Sequence, residues 1–231
     1  MNVSVVMAVY NGEKYIFDQL NSILIQLNGN DEIIISDDGS NDKTKEIVKS
    51  FKDKRIKLVD GPHKGVIKNF ENAIKTSENE IIIFSDQDDL WELKRVEKIR
   101  QAMNYSDVVI TDYKNIYSNG NGFIEHVEWR SGFLSNLKKN TYIGAMMSVR
   151  REWLFEIMPF PGHVPMHDWW IGLMTELKHK EVTFIKEPLV NYRRHGDNLT
   201  GTKKNTFLKK VIMRVIIGAQ IMFRVLISNV H

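Results

Sequence analysis

The chain reads Ile81-Ile82-Ile83-Phe84-Ser85-Asp86-Gln87-Asp88-Asp89-Leu90-Trp91 a little over a third of the way along its length. Four apolar residues run into three carboxylates and then into an aromatic. The apolar run is short, β-branched and without alternation, which predicts a strand buried on both faces of a sheet. Asp86, Asp88 and Asp89 then stand at its carboxyl end, where open α/β sheets bind ligands. In extended chain Asp86 and Asp88 face the same way. Three carboxylates this close repel one another unless a cation sits among them or one is protonated. Hard oxygen ligands suit Mg²⁺ or Mn²⁺. The competing reading is a solvated acidic turn capping a helix that starts near Glu92.

Working outward, the same grammar repeats. Val3 to Val9 predicts a first buried strand, ending in the turn Tyr10-Asn11-Gly12. Glu13 to Leu27 has Ile16, Leu20, Ile23, Leu24 and Leu27 at helical spacing. Glu32 to Ile35 predicts a second strand ending in Ser36-Asp37-Asp38-Gly39-Ser40, followed by a short helix over Asp42 to Phe51 and a strand over Ile56 to Val59. Val66 to Lys75 is helical and leads back to the opening strand. Strands alternating with helices argue for a mostly parallel, doubly wound α/β sheet. Right-handed crossovers bring the strand ends to one edge, so Tyr10-Asn11, Asp37-Asp38 and Asp86-Asp88 meet in one cleft. A carboxylate there can accept a pyrimidine N–H or a ribose hydroxyl, and Tyr10 can pack on a base. No Gly-x-Gly-x-x-Gly follows the first strand and no Gly-x4-Gly-Lys-Ser/Thr occurs anywhere. Phosphates without a glycine cradle need a metal, and the carboxylates supply its ligands.

The second half is less regular. The pattern predicts a helix over Trp91 to Met103, a strand over Val108 to Asp112, a turn-rich loop over Lys114 to Gly122, a short helix over Phe133 to Lys138 and a strand near Tyr142 to Met147. Asp168, in Met166-His167-Asp168-Trp169-Trp170, stands just before a helix running to about Lys178. Beside two large aromatics it loses solvation, which suits a general base; equally, it reads as an N-cap with both tryptophans in the core. Val182 to Ile185 predicts a late strand. Asn191 to Asn198 is a basic loop whose Arg193, Arg194 and His195 either fold over a diphosphate or form a solvated charge run.

Composition sets the outer bounds. The 231 residues are 42% hydrophobic and 26% charged, with net charge +3 and no cysteine. That fits one α/β domain with an appendage and excludes a disulfide framework or thiolate metal site. The charge is too small to imply a nucleic-acid partner. The N-terminus enters a strand at once, without the pattern of a secretory signal, and a cytoplasmic location is expected. Residues 1–202 are expected to form the main domain and 203–231 an appendage. From Phe207 to Val230 a helical wheel places Lys210, Arg214 and Arg224 on one stripe, joined by Lys203, with most of the rest apolar. This predicts a basic amphipathic helix lying on an anionic membrane surface; a helix packed on the domain, or on a second copy in a homodimer, fits the same pattern.

With those residues in view, the chain resembles the family 2 glycosyltransferases, which have the GT-A fold. The resemblance covers about residues 1 to 200. It rests on Ala8-Val9-Tyr10-Asn11-Gly12, Ser36 to Ser40, Ser85-Asp86-Gln87-Asp88-Asp89, His167-Asp168-Trp169-Trp170 and Arg193-Arg194-His195. The Ser-Asp-Gln-Asp-Asp-x-Trp and His-Asp-Trp-Trp variants are most similar to bacterial rhamnosyltransferases and related polysaccharide-assembly enzymes. The resemblance implies an inverting enzyme with a nucleotide-sugar donor (dTDP-rhamnose or a UDP-hexose), a divalent metal (Mn²⁺ or Mg²⁺) and a saccharide acceptor, lipid-linked in polysaccharide synthesis. It implies that Asp38 contacts the base, Tyr10 lines its pocket and Asp86 lies by the ribose. Ala8, Asn11, Asn69, Arg193 and Arg194 join the donor site, Asp88 and His195 the metal site, and Asp168 matches the catalytic base. His167 replaces the Glu frequent in that motif, which bears on the acceptor side. The rivals are an Asp-x-Asp phosphatase, a nucleotidyltransferase and a non-catalytic nucleotide-sugar-binding module. The first wants its motif on the first strand with Thr or Val after the second Asp; the second wants a glycine-rich basic loop near residue 10; the intact carboxylates argue against the third.

Overall fold

The computed structural model describes residues 1–117, 122–125, 128–196 and 206–228. Nine strands make one sheet: β1 (Val3–Val9), β2 (Glu32–Asp37), β3 (Ile56–Asp60), β4 (Ile81–Ser85), β5 (Leu90–Trp91), β6 (Val108–Tyr117), β7 (Gly122–Glu125), β8 (Met147–Arg150) and β9 (Val182–Arg194). Eight helices surround it: α1 (Ile16–Leu24), α2 (Thr44–Ser50), α3 (Val66–Thr76), α4 (Arg95–Ala102), α5 (Phe133–Lys138), α6 (Arg151–Ile157), α7 (His167–Leu177) and α8 (Phe207–Ser228). The strand order is β3-β2-β1-β4-β8-β6-β9-β5, with β7 beside β6.

The first four strands are parallel, and the chain moves from β1 outward to β2 and β3 before crossing back to β4. The order therefore reverses between β1 and β4, and the crevice at their carboxyl ends is the natural ligand site of such a sheet. β1, β2 and β4 read as unbroken apolar runs because both of their faces are covered. Val5, Ile34 and Ile82 are fully buried, each burial contributing about 1.5–3 kcal/mol. Helix α1 turns Ile16, Leu20 and Ile23 into this core, as their spacing predicts.

The second half departs from the sequence reading in five places. β6 runs on to Tyr117, through residues whose Asn content reads as loop, because β9 pairs with it in parallel as far as Tyr117–Arg194. β9 itself extends to Arg194, so the first half of the expected basic loop, Asn191 to Arg194, is strand. The ladder shifts register around Asp112, opposite Pro188, whose nitrogen carries no hydrogen to donate. Helix α4 begins at Arg95 rather than Trp91, because Leu90 and Trp91 pair with Asn191 and Val190 of β9. Helix α6 adds an element that the periodicity does not predict. The antiparallel strand β8, between β4 and β6, makes the sheet mixed.

Helix α8 packs on the domain with Ile217 and Ile221 in the same core. Among the described residues no helix is long and apolar enough to cross a membrane. Lys203 and Asn198 lie outside the described residues.

Candidate active site

The acidic turn after β4 is built from behind. Gln19 on α1 donates from Nε2 to Ser85 Oγ at 2.6 Å and to the Asp86 carbonyl at 3.2 Å. The turn curls rather than extending, so carboxylate oxygens of Asp86, Asp88 and Asp89 all come within 4.8 Å of one another. Burial, and then the charges of Asp88 and Asp168, push the Asp86 carboxyl up to about 7. Burial, followed by Asp86 and Asp88, also drives Asp89 well upward. Arg95 stands beside them, fully buried, with Nη2 on the Ala145 carbonyl at 2.7 Å and its guanidinium 4.2 Å from the Trp91 ring centre. Three hard oxygen donors held together against their own repulsion are the donor set a divalent cation relieves, so the residues fit Mg²⁺ or Mn²⁺.

The turns after β1 and β4 are tied together by Gln87. Its Oε1 accepts from the Tyr10 N–H at 3.0 Å and its Nε2 donates to the Tyr10 carbonyl at 3.2 Å. A side chain at Gly12 would put Cβ 2.6 Å from Gln87 Oε1, so a larger residue there would displace the Gln87 amide that ties the two turns. The Tyr10 side chain is left 56% exposed at the cleft mouth. Ala8, one residue before the end of β1, pairs with Ser36 of β2.

The two carboxylates after β2 divide. Asp37 is buried and accepts the Gly39 and Ser40 amides at 3.0 and 2.7 Å, holding the turn. Asp38 faces the other way and accepts the amides of Lys64 and Gly65 at 3.3 and 2.8 Å, fastening the loop before α3. Asn11 accepts the Asn41 backbone N–H on its Oδ1 at 3.0 Å. Asn69 does not line the cleft. It is 1% exposed, and its Nδ2 bonds the carbonyls of Ser36 and Val9 at 2.7 and 3.3 Å, bracing two strand ends from below. Its placement among the donor-binding residues is corrected on that ground.

Strand alternation separates the basic residues at the end of β9. Arg193 lies over the acidic turn: its N–H donates to Asp89 Oδ1 at 3.1 Å, its Nε to the Asp88 carbonyl at 3.0 Å, and its guanidinium sits 5.0 Å from the Tyr15 ring centre. His195 falls on the same side, with Nε2 2.7 Å from Asp88 Oδ2 and its ring stacked on Tyr15. Arg194 points to the opposite face, where Nε donates to the buried Asn115 at 2.6 Å. It does not join Arg193 over the cleft, contrary to the expectation of two arginines folding over a diphosphate.

Asp168 is the second residue of α7, whose N-cap position is Met166, so it is not the cap. Its Oδ2 accepts the Gly144 amide at 3.1 Å and its Oδ1 the Asn140 amide at 3.3 Å. Gly144 is required there: a Cβ would lie 2.9 Å from His167 Nε2. Burial raises the Asp168 carboxyl to about 6 despite these hydrogen bonds. Its charge also raises Asp86, so the β4 turn and the head of α7 face one another across the cleft. His167 is buried against Phe70 and Phe84, which pushes its imidazole down to about 3 and keeps it neutral. Gln87 and Arg95 are not singled out by the sequence. For Gln87 the only signal is membership of the acidic stretch, and for Arg95 a cation one helical turn beyond it.

Known proteins match this arrangement. The model of the Glycosyl transferase family 2 matches residues 4–160. The dTDP-rhamnosyl transferase RfbG of Shigella flexneri is 29% identical over 219 residues, covering 84% of this chain and 73% of RfbG. The glucosyltransferase WfgD of Escherichia coli, named for UDP-Glc and α-D-GlcNAc-diphosphoundecaprenol, is 30% identical, covering 75% of this chain and 70% of its own. Glycosyltransferase GlyG of Streptococcus pneumoniae is 33% identical, covering 87% and 73%. Among solved structures, Staphylococcus aureus TarS 1-349 in complex with UDP-GlcNAc superposes with a TM-score of 0.74 at 20% identity, over 94% of this chain and 66% of that one. That likeness establishes the expected fold, including the C-terminal helix. The chain spans about two-thirds to three-quarters of the length of these proteins.

Proposed function

Because the chain belongs to glycosyl transferase family 2, we propose that it moves a sugar, with inversion, from a dTDP- or UDP-linked donor to a saccharide hydroxyl in bacterial surface-polysaccharide synthesis. The observation that carries this reading is Asp168, a half-buried carboxylate raised to about 6 and electrically coupled to Asp86 across one cleft. The base and ribose would lie along the β1 and β2 turns, near Tyr10 and Asp38, and the ribose end near Asp86. Asp88, with Asp86 and Asp89 beside it and His195 on its Oδ2, would hold Mn²⁺ or Mg²⁺. Such a cation, when bound, supplies positive charge for the departing diphosphate. Arg193 adds a second positive charge from the end of β9.

The chemistry left to the protein is proton removal and aim. Asp168 accepts the proton of the acceptor hydroxyl as that oxygen bonds to the anomeric carbon. The bond from that carbon to the diphosphate oxygen breaks, and its electron pair leaves with the diphosphate. The Gly144 and Asn140 donors fix the Asp168 carboxylate in place. Because the diphosphate is a good leaving group, a positioned base worth roughly 10²–10⁴ in rate is sufficient. The name of WfgD supports a lipid-linked acceptor, and with it work at the inner face of the cell membrane. The test is a panel of nucleotide sugars with Mn²⁺ or Mg²⁺, read as released nucleotide for the wild type and Asp168→Asn. Release from at least one donor, with kcat in the variant lowered about 10²–10⁴-fold at unchanged donor KM, supports the assignment. Equal kcat in the two proteins removes Asp168 as the base.

A further inference from the structure

Helix α8 has two faces, and the structure turns them opposite to the way its charges suggest. The two arginines of the cationic stripe face inward. Arg214 donates through Nε and Nη2 to the carbonyl of Lys138, at the end of α5. Arg224 donates to the carbonyls of Met158 and Pro159 at 3.1 and 2.6 Å and lies 5.8 Å from the ring centre of Trp170 on α7. Ile217 and Ile221 are buried between these two clamps. The opposite face is apolar and open. Leu208, Ile212, Val215, Met222, Phe223 and Leu226 are 48–68% exposed and repeat at helical spacing over five turns. The exposed Lys209 borders it at one end, and α5 alongside carries the exposed Leu134 and Lys138. Residues 203–231 contain six lysines and arginines and no acidic residue.

We propose that this outer face of α8 is the surface by which the protein lies on an anionic lipid bilayer. Its apolar rows enter the headgroup boundary, and the neighbouring lysines meet lipid phosphate. Charge selects this occupant over a second copy. A two-fold pairing sets a patch against itself, and a segment with no acidic residue would then face its own positive charge. The clamps add direction. They hold α8 on α5 and α7, and α7 carries Asp168 at its head, so the bilayer would lie on the side of the cleft where the acceptor hydroxyl is deprotonated. The nucleotide turns of β1 and β2 belong to the other half of the sheet. This orientation takes from the proposed function that the acceptor is lipid-linked; the lipid-binding face itself does not depend on that reading.

The experiment uses the whole chain and a variant combining Ile212→Gln, Val215→Gln and Met222→Gln. All three positions are solvent-facing, so the fold and donor hydrolysis should be unchanged, checked by circular dichroism and nucleotide release. Co-sedimentation with vesicles of phosphatidylglycerol and phosphatidylcholine is read without donor or acceptor. The wild type should pellet with them, less at high salt but still measurably, since the apolar share is unscreened. The variant's partition should fall about tenfold or more. Equal sedimentation of the two, or no sedimentation of either, overturns the proposal. A wild-type dimer that the variant converts to a monomer, without vesicle binding, assigns the face to a second copy and overturns it as well. Failure of every donor to release nucleotide, with vesicle binding intact, would instead count against the enzymatic reading alone.

Discussion

At the scale of single residues, the cleft is a set of carboxylates given different tasks by their surroundings. Asp37 spends its charge on backbone amides, Asp38 bridges two loops, and Asp86, Asp88 and Asp89 crowd together. Asp168 alone has both a raised carboxyl and a fixed orientation facing the acidic turn. A base must be ionised to accept a proton. Because burial lifts Asp168 to about 6, kcat/KM should be flat at neutral pH and fall as the pH drops through about 6. A carboxylate at its ordinary value would hold the rate down to about pH 4. A pH profile at saturating metal decides between them, and an acid limb near 4 removes Asp168 from the rate equation. Gln87 yields a second expectation. Its two bonds to Tyr10 are worth about 0.5–1.5 kcal/mol each, so Gln87→Ala should raise donor KM roughly 5- to 100-fold with kcat little changed. An unchanged KM would show that the two turns hold their positions without it.

At the scale of elements, the end of β9 shows what a two-residue period does to a run of like charges. Arg193 and His195 fall over the acidic turn, while Arg194 falls on the other face against Asn115. The two arginines should therefore fail differently. Arg193→Ala removes a cation from the cleft and should lower kcat/KM about 10- to 100-fold, the worth of a charge-assisted hydrogen bond, with little loss of stability. Arg194→Ala strips the buried Asn115 of a donor and should cost about 1–3 kcal/mol in denaturant unfolding, with donor KM unchanged. Similar kinetic losses in both variants would mean that the strand does not separate them. The same period explains what the sequence hid. Strands β1, β2 and β4 were legible because they are buried on both faces and read as apolar runs. The end of β9 and the far half of β6 carry Asn, Tyr, Lys and Arg, and composition makes them loops. Their strand character comes from pairing with one another, which no local window contains.

For the molecule as a whole, the site was readable where the chain order puts motifs at strand ends, and unreadable where a role depends on depth. Sequence order brought Tyr10, Asp38 and Asp86 to one edge, and the strand order agrees. It could not tell that Asn69 lies beneath that edge, or that the arginines of α8 turn inward, because both depend on which neighbours cover a side chain. The cap reading at Asp168 fails for the same reason: the helix starts one residue earlier, at His167, and the carboxylate is held by Gly144 and Asn140. The central claim is that this edge of the sheet gathers a divalent cation, a donor diphosphate and a base into one cleft. Its most direct test is nucleotide release against Mn²⁺ concentration for the wild type and Asp88→Asn, with folding followed in parallel. The account predicts a wild type that is silent in chelator and saturates with metal, and a folded Asp88→Asn protein that stays near background throughout. Full release by Asp88→Asn, or by the wild type in chelator, would contradict it.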